Sequence, residues 1–136
     1  FYQKLSFYSC TVSNFEQYTL DLFIKEGYFE KHINRLRNYY QNKKNGFLSA
    51  IWESGLQKCV EISGEEAGVH FLMKLKTERD EENVMELAKA QGIKLSPLSK
   101  FYYEKKVGIE NTYVMNYSSV DMEQIGKIVR GLEKIC

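Results

Sequence analysis

Between Ser13 and Ile51 the chain carries two helical patterns in direct succession, divided by one glycine, and this commits its first third to a helix pair. Ser13 and Glu16 have the spacing of a capping box, in which each side chain satisfies a backbone N–H of the first turn. Gly27 suits the left-handed residue that closes a helix, and a second helix restarts at Tyr28. Along it Phe29, Ile33, Leu36, Tyr40, Phe47 and Ile51 recur at three- and four-residue steps or their multiples, which puts them on one apolar stripe. Gly46 interrupts this helix and is expected to bend or weaken it.

Beyond the helix pair the pattern changes. Residues 1–12 read as an extended leader, with Leu5 and Phe7 alternating. Leu56–Ser63 and Gly68–Lys76 read as two strands joined by Gly64-Glu65-Glu66. In the second, Val69, Phe71, Met73 and Leu75 alternate with His70, Leu72, Lys74 and Lys76, as in a half-buried strand. Asp80 or Thr77 caps a helix running to Gln91, and Gly92 closes it. Ile93–Ser96 reads as a short strand and Tyr113–Tyr117 as a longer one. A capping box at Asp121 and Gln124 opens a last helix with Ile125, Ile128, Leu132 and Ile135 on its apolar face. The fold class that follows is α+β, with helices packed on one face of a small, mostly antiparallel sheet.

A chain of 136 residues fits one domain with a real core, here rich in aromatics with ten Tyr and eight Phe. A net charge of +1 leaves no broad electrostatic footprint for nucleic acid. Its uncharged apolar runs are too short to cross a bilayer, so no membrane partner is expected. Cys10, Cys59 and Cys136 are odd in number and far apart in sequence, against a disulfide framework or a Cys-x-x-Cys clip, as in a reduced cytoplasmic protein.

The order of residues is more specific than the periodicity. Glu16-Gln17, Leu20 to Ile24, Gly27, and Glu30-x-His32-Ile33-x-Arg35-Leu36-Arg37-x-x-Tyr40 follow one another in a pattern that resembles the start of a small C-terminal domain. That domain belongs to fold-type I, aminotransferase-like proteins that use pyridoxal phosphate, and the run is most similar to the MocR-type subfamily of GntR transcriptional regulators. Ala67-Gly68-Val69-His70, Gly92-Ile93 and Pro97-Leu98-Ser99 follow in the family's order, so the resemblance extends from about Ser13 to the last helix. It implies an aminotransferase-like small domain over residues 13–136. The chain begins Phe1-Tyr2-Gln3-Lys4 without an initiator Met, and it is expected to be the tail of a longer protein.

For that parent the resemblance implies pyridoxal phosphate, a large aminotransferase-like domain that this one contacts, a homodimer, and DNA binding only through a separate N-terminal domain. The Schiff-base lysine and most cofactor contacts belong to the large domain. Lys25, Lys31, Lys43, Lys44, Lys74, Lys76, Lys105 and Lys106 all read as solvated, so no catalytic, cofactor-binding or metal residue is expected in this chain, and it is not expected to be an enzyme by itself. In true transaminases the last strand of the small domain carries an arginine whose planar fork grips the substrate carboxylate. The resemblance puts Val114 in that place, with no arginine in Tyr113–Ser118. This departure speaks for a regulator over the alternative of a genuine class I/II aminotransferase.

Four further groups invite a functional role. Arg35 reads as a solvated helix position, and Arg37 reads equally as solvated or as a contact with the large domain. His32 reads as an interface or capping histidine, and His70 as a strand-edge histidine bonded to backbone; two isolated histidines make no metal site. Phe101-Tyr102-Tyr103 beside Lys105-Lys106 reads as part of an interdomain seam in preference to a platform for single-stranded nucleic acid. Glu78, Asp80, Glu81 and Glu82 complement a helix dipole without any metal. A third alternative, a free-standing domain that binds a protein through its aromatic surface, stays open on the residues alone.

Overall fold

The computed structural model describes residues 12–66, 68–104 and 107–136. The extended leader, apart from Val12, as well as Cys10, Ala67, Lys105 and Lys106, lies outside the described residues. The chain divides into two compact units, Phe1–Asn38 and Tyr39–Cys136.

In the first unit, helix α1 (Asn14–Lys25) starts at the expected capping box. Ser13 Oγ accepts from the Glu16 N–H at 3.3 Å, and Glu16 Oε2 accepts from the Ser13 N–H at 3.1 Å. Gly27 stands at φ +72°, where a Cβ is disfavoured, and its N–H donates to Ile24 O at 3.0 Å. Helix α2 (Tyr28–Trp52) begins at once. The Phe23 ring lies 6.3 Å from both Tyr28 and Phe29. No residue of α1 is buried, and Phe15 remains 80 % exposed.

The second unit holds the core. Strands β1 (Val60–Ser63), β2 (His70–Leu75) and β3 (Thr112–Asn116) form one antiparallel sheet in the order β1-β2-β3. The register aligns Ile62, Met73 and Tyr113 in one row across the sheet. Because side chains alternate, Phe71, Met73, Leu75, Tyr113 and Met115 share a face, and all are buried. Packed in the same core are Phe47 and Ile51 of α2, Val84 and Ala88 of α3 (Glu81–Ala90), and Ile125, Val129 and Leu132 of α4 (Met122–Glu133). Phe47 meets Phe71 edge-on at 5.5 Å, and Tyr117 stacks on Phe71 at 6.2 Å.

Several expectations need correction. Leu56–Cys59 is not strand: Gly55–Lys58 is a 3-10 turn whose Leu56 N–H donates to Ser54 Oγ at 3.2 Å, and Leu56 plugs the core with none of its surface exposed. Ile93–Ser96 forms no strand either. It reaches β3 only where the Val114 N–H donates to Ser96 O at 2.8 Å and Pro97 bridges Tyr113. Proline has no N–H to continue a ladder, so pairing stops there and the 3-10 turn Leu98–Phe101 follows. Of the two caps considered for α3, Asp80 takes the role, with Oδ1 accepting from the Asn83 N–H at 2.8 Å. The capping box at Asp121 does not form; Asp121 occupies the N-cap position without a side-chain hydrogen bond. Gly46 leaves α2 continuous and instead provides clearance, since a Cβ there would stand 2.5 Å from the Met122 methyl.

Candidate functional site

The strand singled out by the missing arginine is β3. Val114 faces away from the helices, in the row Ser63–Leu72–Val114, and is half-buried. Its row carries no cation, and the strand residues on this face include Lys74, opposite Thr112, and His70, opposite Asn116, but no arginine whose planar fork could bind a carboxylate bidentately. Behind it, Tyr113 is buried and its hydroxyl donates to Asn111 Oδ1 at 3.2 Å. Burial, with the Glu81 carboxylate as a second cause, pushes the Tyr113 phenol well above its ordinary range. Asn111 stands at φ +53°, a conformation that asparagine tolerates better than most residues, and its Nδ2 donates to Arg79 O at 2.8 Å.

Next to this pair opens a cleft of about 510 Å³ whose lining includes Asp80, Glu81, Ser99, Tyr102, Tyr103 and Asn111. Ser99 Oγ donates to Glu81 Oε1 at 2.6 Å, which ties the second 3-10 turn to the first turn of α3. Phe101, Tyr102 and Tyr103 are exposed. Their neighbours Lys105 and Lys106 lie outside the described residues. Among the described residues no group of three or more His, Cys, Asp or Glu could hold a metal ion.

Lys43 overturns the expectation of a solvated lysine. It is 7 % exposed, its Nζ donates to Ser118 O at 2.9 Å, and the Tyr39 ring centroid lies 5.0 Å away. The spacing Lys43–Phe47–Ile51 places it on the buried stripe, and that signal is readable in the sequence. Lys43 is the one buried lysine among the described residues, and its ammonium is already engaged. The other described lysines are exposed or half-exposed. Among the described residues no lysine is both buried and free to form the Schiff base that pyridoxal phosphate chemistry uses.

The remaining candidates stay apart. Arg35 and Arg37 are exposed on α2 and make no ion pair among the described residues. His32 is exposed, its ring 6.5 Å from Phe23. His70 opens β2 opposite Asn116 and is exposed, without the ring-to-backbone hydrogen bond expected of it among the described residues. No described helix is long and apolar enough to cross a membrane. Two features have no local signal in the sequence: the tie from Arg79 Nη1 to Ile135 O at 3.0 Å, and that from the Gly55 N–H to Glu133 Oε1 at 3.0 Å.

Comparison with known proteins places the fold. The chain superposes on the α-aminoadipate aminotransferase LysN of Thermus thermophilus, complexed with N-(5'-phosphopyridoxyl)-L-leucine, with a TM-score of 0.70 and 27 % identity over 85 % of this chain and 28 % of that one. Kynurenine aminotransferase of Pyrococcus horikoshii gives 0.69 and 26 % over 84 % and 28 %. In sequence, two uncharacterized HTH-type transcriptional regulators of Bacillus subtilis, YhdI and YdeL, are 40 % and 39 % identical over 70 % and 71 % of this chain. The probable rhizopine catabolism regulatory protein MocR of Rhizobium meliloti is 25 % identical over 81 %. The chain has the fold of an aminotransferase small domain, and its sequence is similar to HTH-type transcriptional regulators and to MocR. It spans about a fifth of the length of these regulators (20 %, 21 % and 22 %). No protein-family model matches it.

Proposed function

We propose that this chain is the C-terminal small domain of a MocR-type, GntR-family regulator. In the whole protein it closes over the cofactor side of a large, aminotransferase-like domain that holds pyridoxal phosphate, and it passes effector binding to a separate N-terminal DNA-binding domain. The carrying observation is a divergence between fold and sequence. The fold is that of an aminotransferase small domain, yet regulators share 40 % and 39 % identity while an aromatic-amino-acid aminotransferase of Thermococcus litoralis shares 26 %. Val114 supports the same choice, because β3 carries no arginine to grip a substrate carboxylate.

In this reading the cofactor supplies the electrophilic chemistry when bound, and it is held by residues outside this chain. The chain contributes a wall. Leu72 and Val114 present an apolar strip, Tyr102 and Tyr103 present rings at the cleft, and the exposed apolar residues of α1 contact the large domain. Closure transmits a signal only if the effector binds the closed and open arrangements with different affinity. The parent dimerises through its aminotransferase-like part, it works in the cytoplasm, and this chain alone does not turn over a substrate.

The test uses the whole parent protein, purified with pyridoxal phosphate, reduced with borohydride and mapped by peptide mass. The cofactor mass is expected on a lysine outside residues 1–136, and duplex DNA is retarded by the parent but not by this chain. A cofactor adduct within this chain, or multiple-turnover transamination by a parent without a DNA-binding segment, overturns the reading.

A further inference from the structure

Helix α3 has surfaces of opposite charge at its two ends. At its start lies the cleft described above, whose lining also includes Glu78, Glu104 and Glu110. At its end opens a groove of about 430 Å³ lined by Met85, Lys89, Ile93, Lys94, Leu95 and Lys100, together with Gly92, and by no Asp or Glu. Leu95 is buried and Met85 and Ile93 are half-buried, so the floor is apolar, while all three lysines are exposed. A smaller cleft of about 240 Å³ shares Gly92 and Ile93. It carries the same pairing of charge and apolar surface onto α4, with Lys127 and Ile128.

Backbone hydrogen bonds fix the walls of this groove. Gly92 stands at φ +74°; its N–H donates to Lys89 O at 2.9 Å and the Ile93 N–H donates to Ala88 O at 2.8 Å, the pair of bonds that closes a helix and turns the chain. Further on, Ser96 O accepts from the Val114 N–H at 2.8 Å, and the Lys100 N–H donates to Pro97 O at 3.3 Å. A groove held in this way is preformed, so binding in it orders little of the protein.

The lysines around it differ from those elsewhere. Lys25, Lys44, Lys74 and Lys76 each spend their ammonium on a carboxylate or carbonyl of the chain, as Lys43 does on Ser118. Among the described residues Lys89, Lys94 and Lys100 make no hydrogen bond and no ion pair through their side chains. Glu86, three residues before Lys89, neither lines the groove nor pairs with that lysine. The dipole of α3 accounts for Lys89, in its last turn, but not for Lys94 or Lys100.

We propose that the groove docks a short acidic segment of a partner protein, with apolar side chains on the floor and carboxylates against Lys89, Lys94 and Lys100. The lysines alone would suit a nucleic-acid backbone equally well, but phosphates gain nothing from Met85, Ile93 and Leu95. The Leu or Phe side chains of a peptide gain by leaving water there. The unpaired ammonium groups steer an acidic partner in and reject a basic one. The groove takes no part in the cofactor and DNA-binding roles proposed above.

The test is selection from a random peptide library displayed on phage, against this chain and against its Lys89→Glu, Lys94→Glu, Lys100→Glu triple variant. Enrichment of peptides that combine Asp and Glu with Leu or Phe is expected on the wild type alone. A labelled peptide of that class should bind the triple variant roughly tenfold more weakly, and should weaken by a similar factor in high salt. Its charge-reversed counterpart, with Lys in place of Asp and Glu, should bind the variant and not the wild type. Lys94→Ala, which should weaken binding a few-fold, covers the case in which the triple variant fails to fold. The labelled peptide should also bind the whole parent protein. No enrichment, enrichment of peptides without acidic residues, equal retention on wild type and variant, or displacement by duplex DNA overturns the proposal. So does loss of binding in the whole parent, where another part of the same protein would then cover the groove.

Discussion

The helix pair before Tyr39 and the unit that follows it obey local rules to different ends. In the first, every local device is present: capping box, left-handed glycine and an aromatic cluster around Phe23. Yet α1 buries none of its residues, and Phe15, Tyr18 and Leu20 remain 80 %, 76 % and 56 % exposed. In the second, the caps are poorer, with Asp121 making no side-chain bond, but Phe71, Met73 and Leu132 are sealed completely. Good capping thus defines where a helix starts, while burial decides how much free energy it contributes to the fold. Under the function proposed above, the α1 face is one that the large domain would cover.

The sharpest way to break this contrast is truncation on each side. Phe71→Ala removes a ring packed between Phe47 and Tyr117 and is expected to cost about 3–5 kcal/mol in urea unfolding. Phe15→Ala should cost less than about 0.5 kcal/mol in the same assay, because the ring is already in water. Equal losses at the two sites would erase the distinction. A smaller effect is expected at Gly131, where a Cβ would stand 2.6 Å from Ile93 Cδ1 and 3.4 Å from Gln91 Cβ. Gly131→Ala should cost about 1–3 kcal/mol despite the better helix propensity of alanine. A stabilised variant would mean that Ile93 gives way freely.

In the first unit the corresponding loss is local. Ser13→Ala should weaken α1 by about 1 kcal/mol, read as faster amide exchange in its first turn with no change in the exchange of β2. Altered exchange at β2 amides or an unchanged α1 would contradict that. The smallest effect is expected from alkali. Burial holds the Tyr113 and Tyr117 phenols above their ordinary value of 10.0, so they stay protonated in the folded state after the unfolded chain has begun to lose those protons. Their contribution is complete below pH 10 and declines above it, so unfolding midpoints should fall from there upward. Tyr113→Phe should flatten that decline.

How far the fold is legible depends on whether the signal is local. The capping box, the left-handed Gly27, the alternation along β2 and the Asp80 cap all rest on neighbours in sequence, and the structure holds each of them. Leu56–Cys59 misleads because an apolar run beside a strand looks the same in either conformation. Only the Ser54 hydroxyl on the Leu56 N–H marks the turn. Ile93–Ser96 misleads because its pairing is limited by Pro97, whose effect depends on where β3 runs. At the site, the missing arginine in β3 is readable from the strand's composition, whereas the hydrogen bond from the Gly55 N–H to Glu133 Oε1 depends on α4 packing against a turn far upstream. Lys43 shares the spacing of Phe47 and Ile51, but a lysine on an apolar stripe ordinarily reads as a tip reaching for water. Its partner, a carbonyl from Ser118, is distant in sequence.

The arrest of pairing at Pro97 also bears on how this protein behaves at high concentration. An uncovered border of a sheet is a template on which further chains can add, the first step toward fibrils. Along β3 that border is partly occupied: Ser96 takes the Val114 N–H, and the residue that follows has no hydrogen to offer outward. At the opposite border β1 is four residues long and carries Glu61, ion-paired with Lys76 at 3.0 Å. A short border with charge on one side and a proline stop on the other leave an intruding strand little to copy.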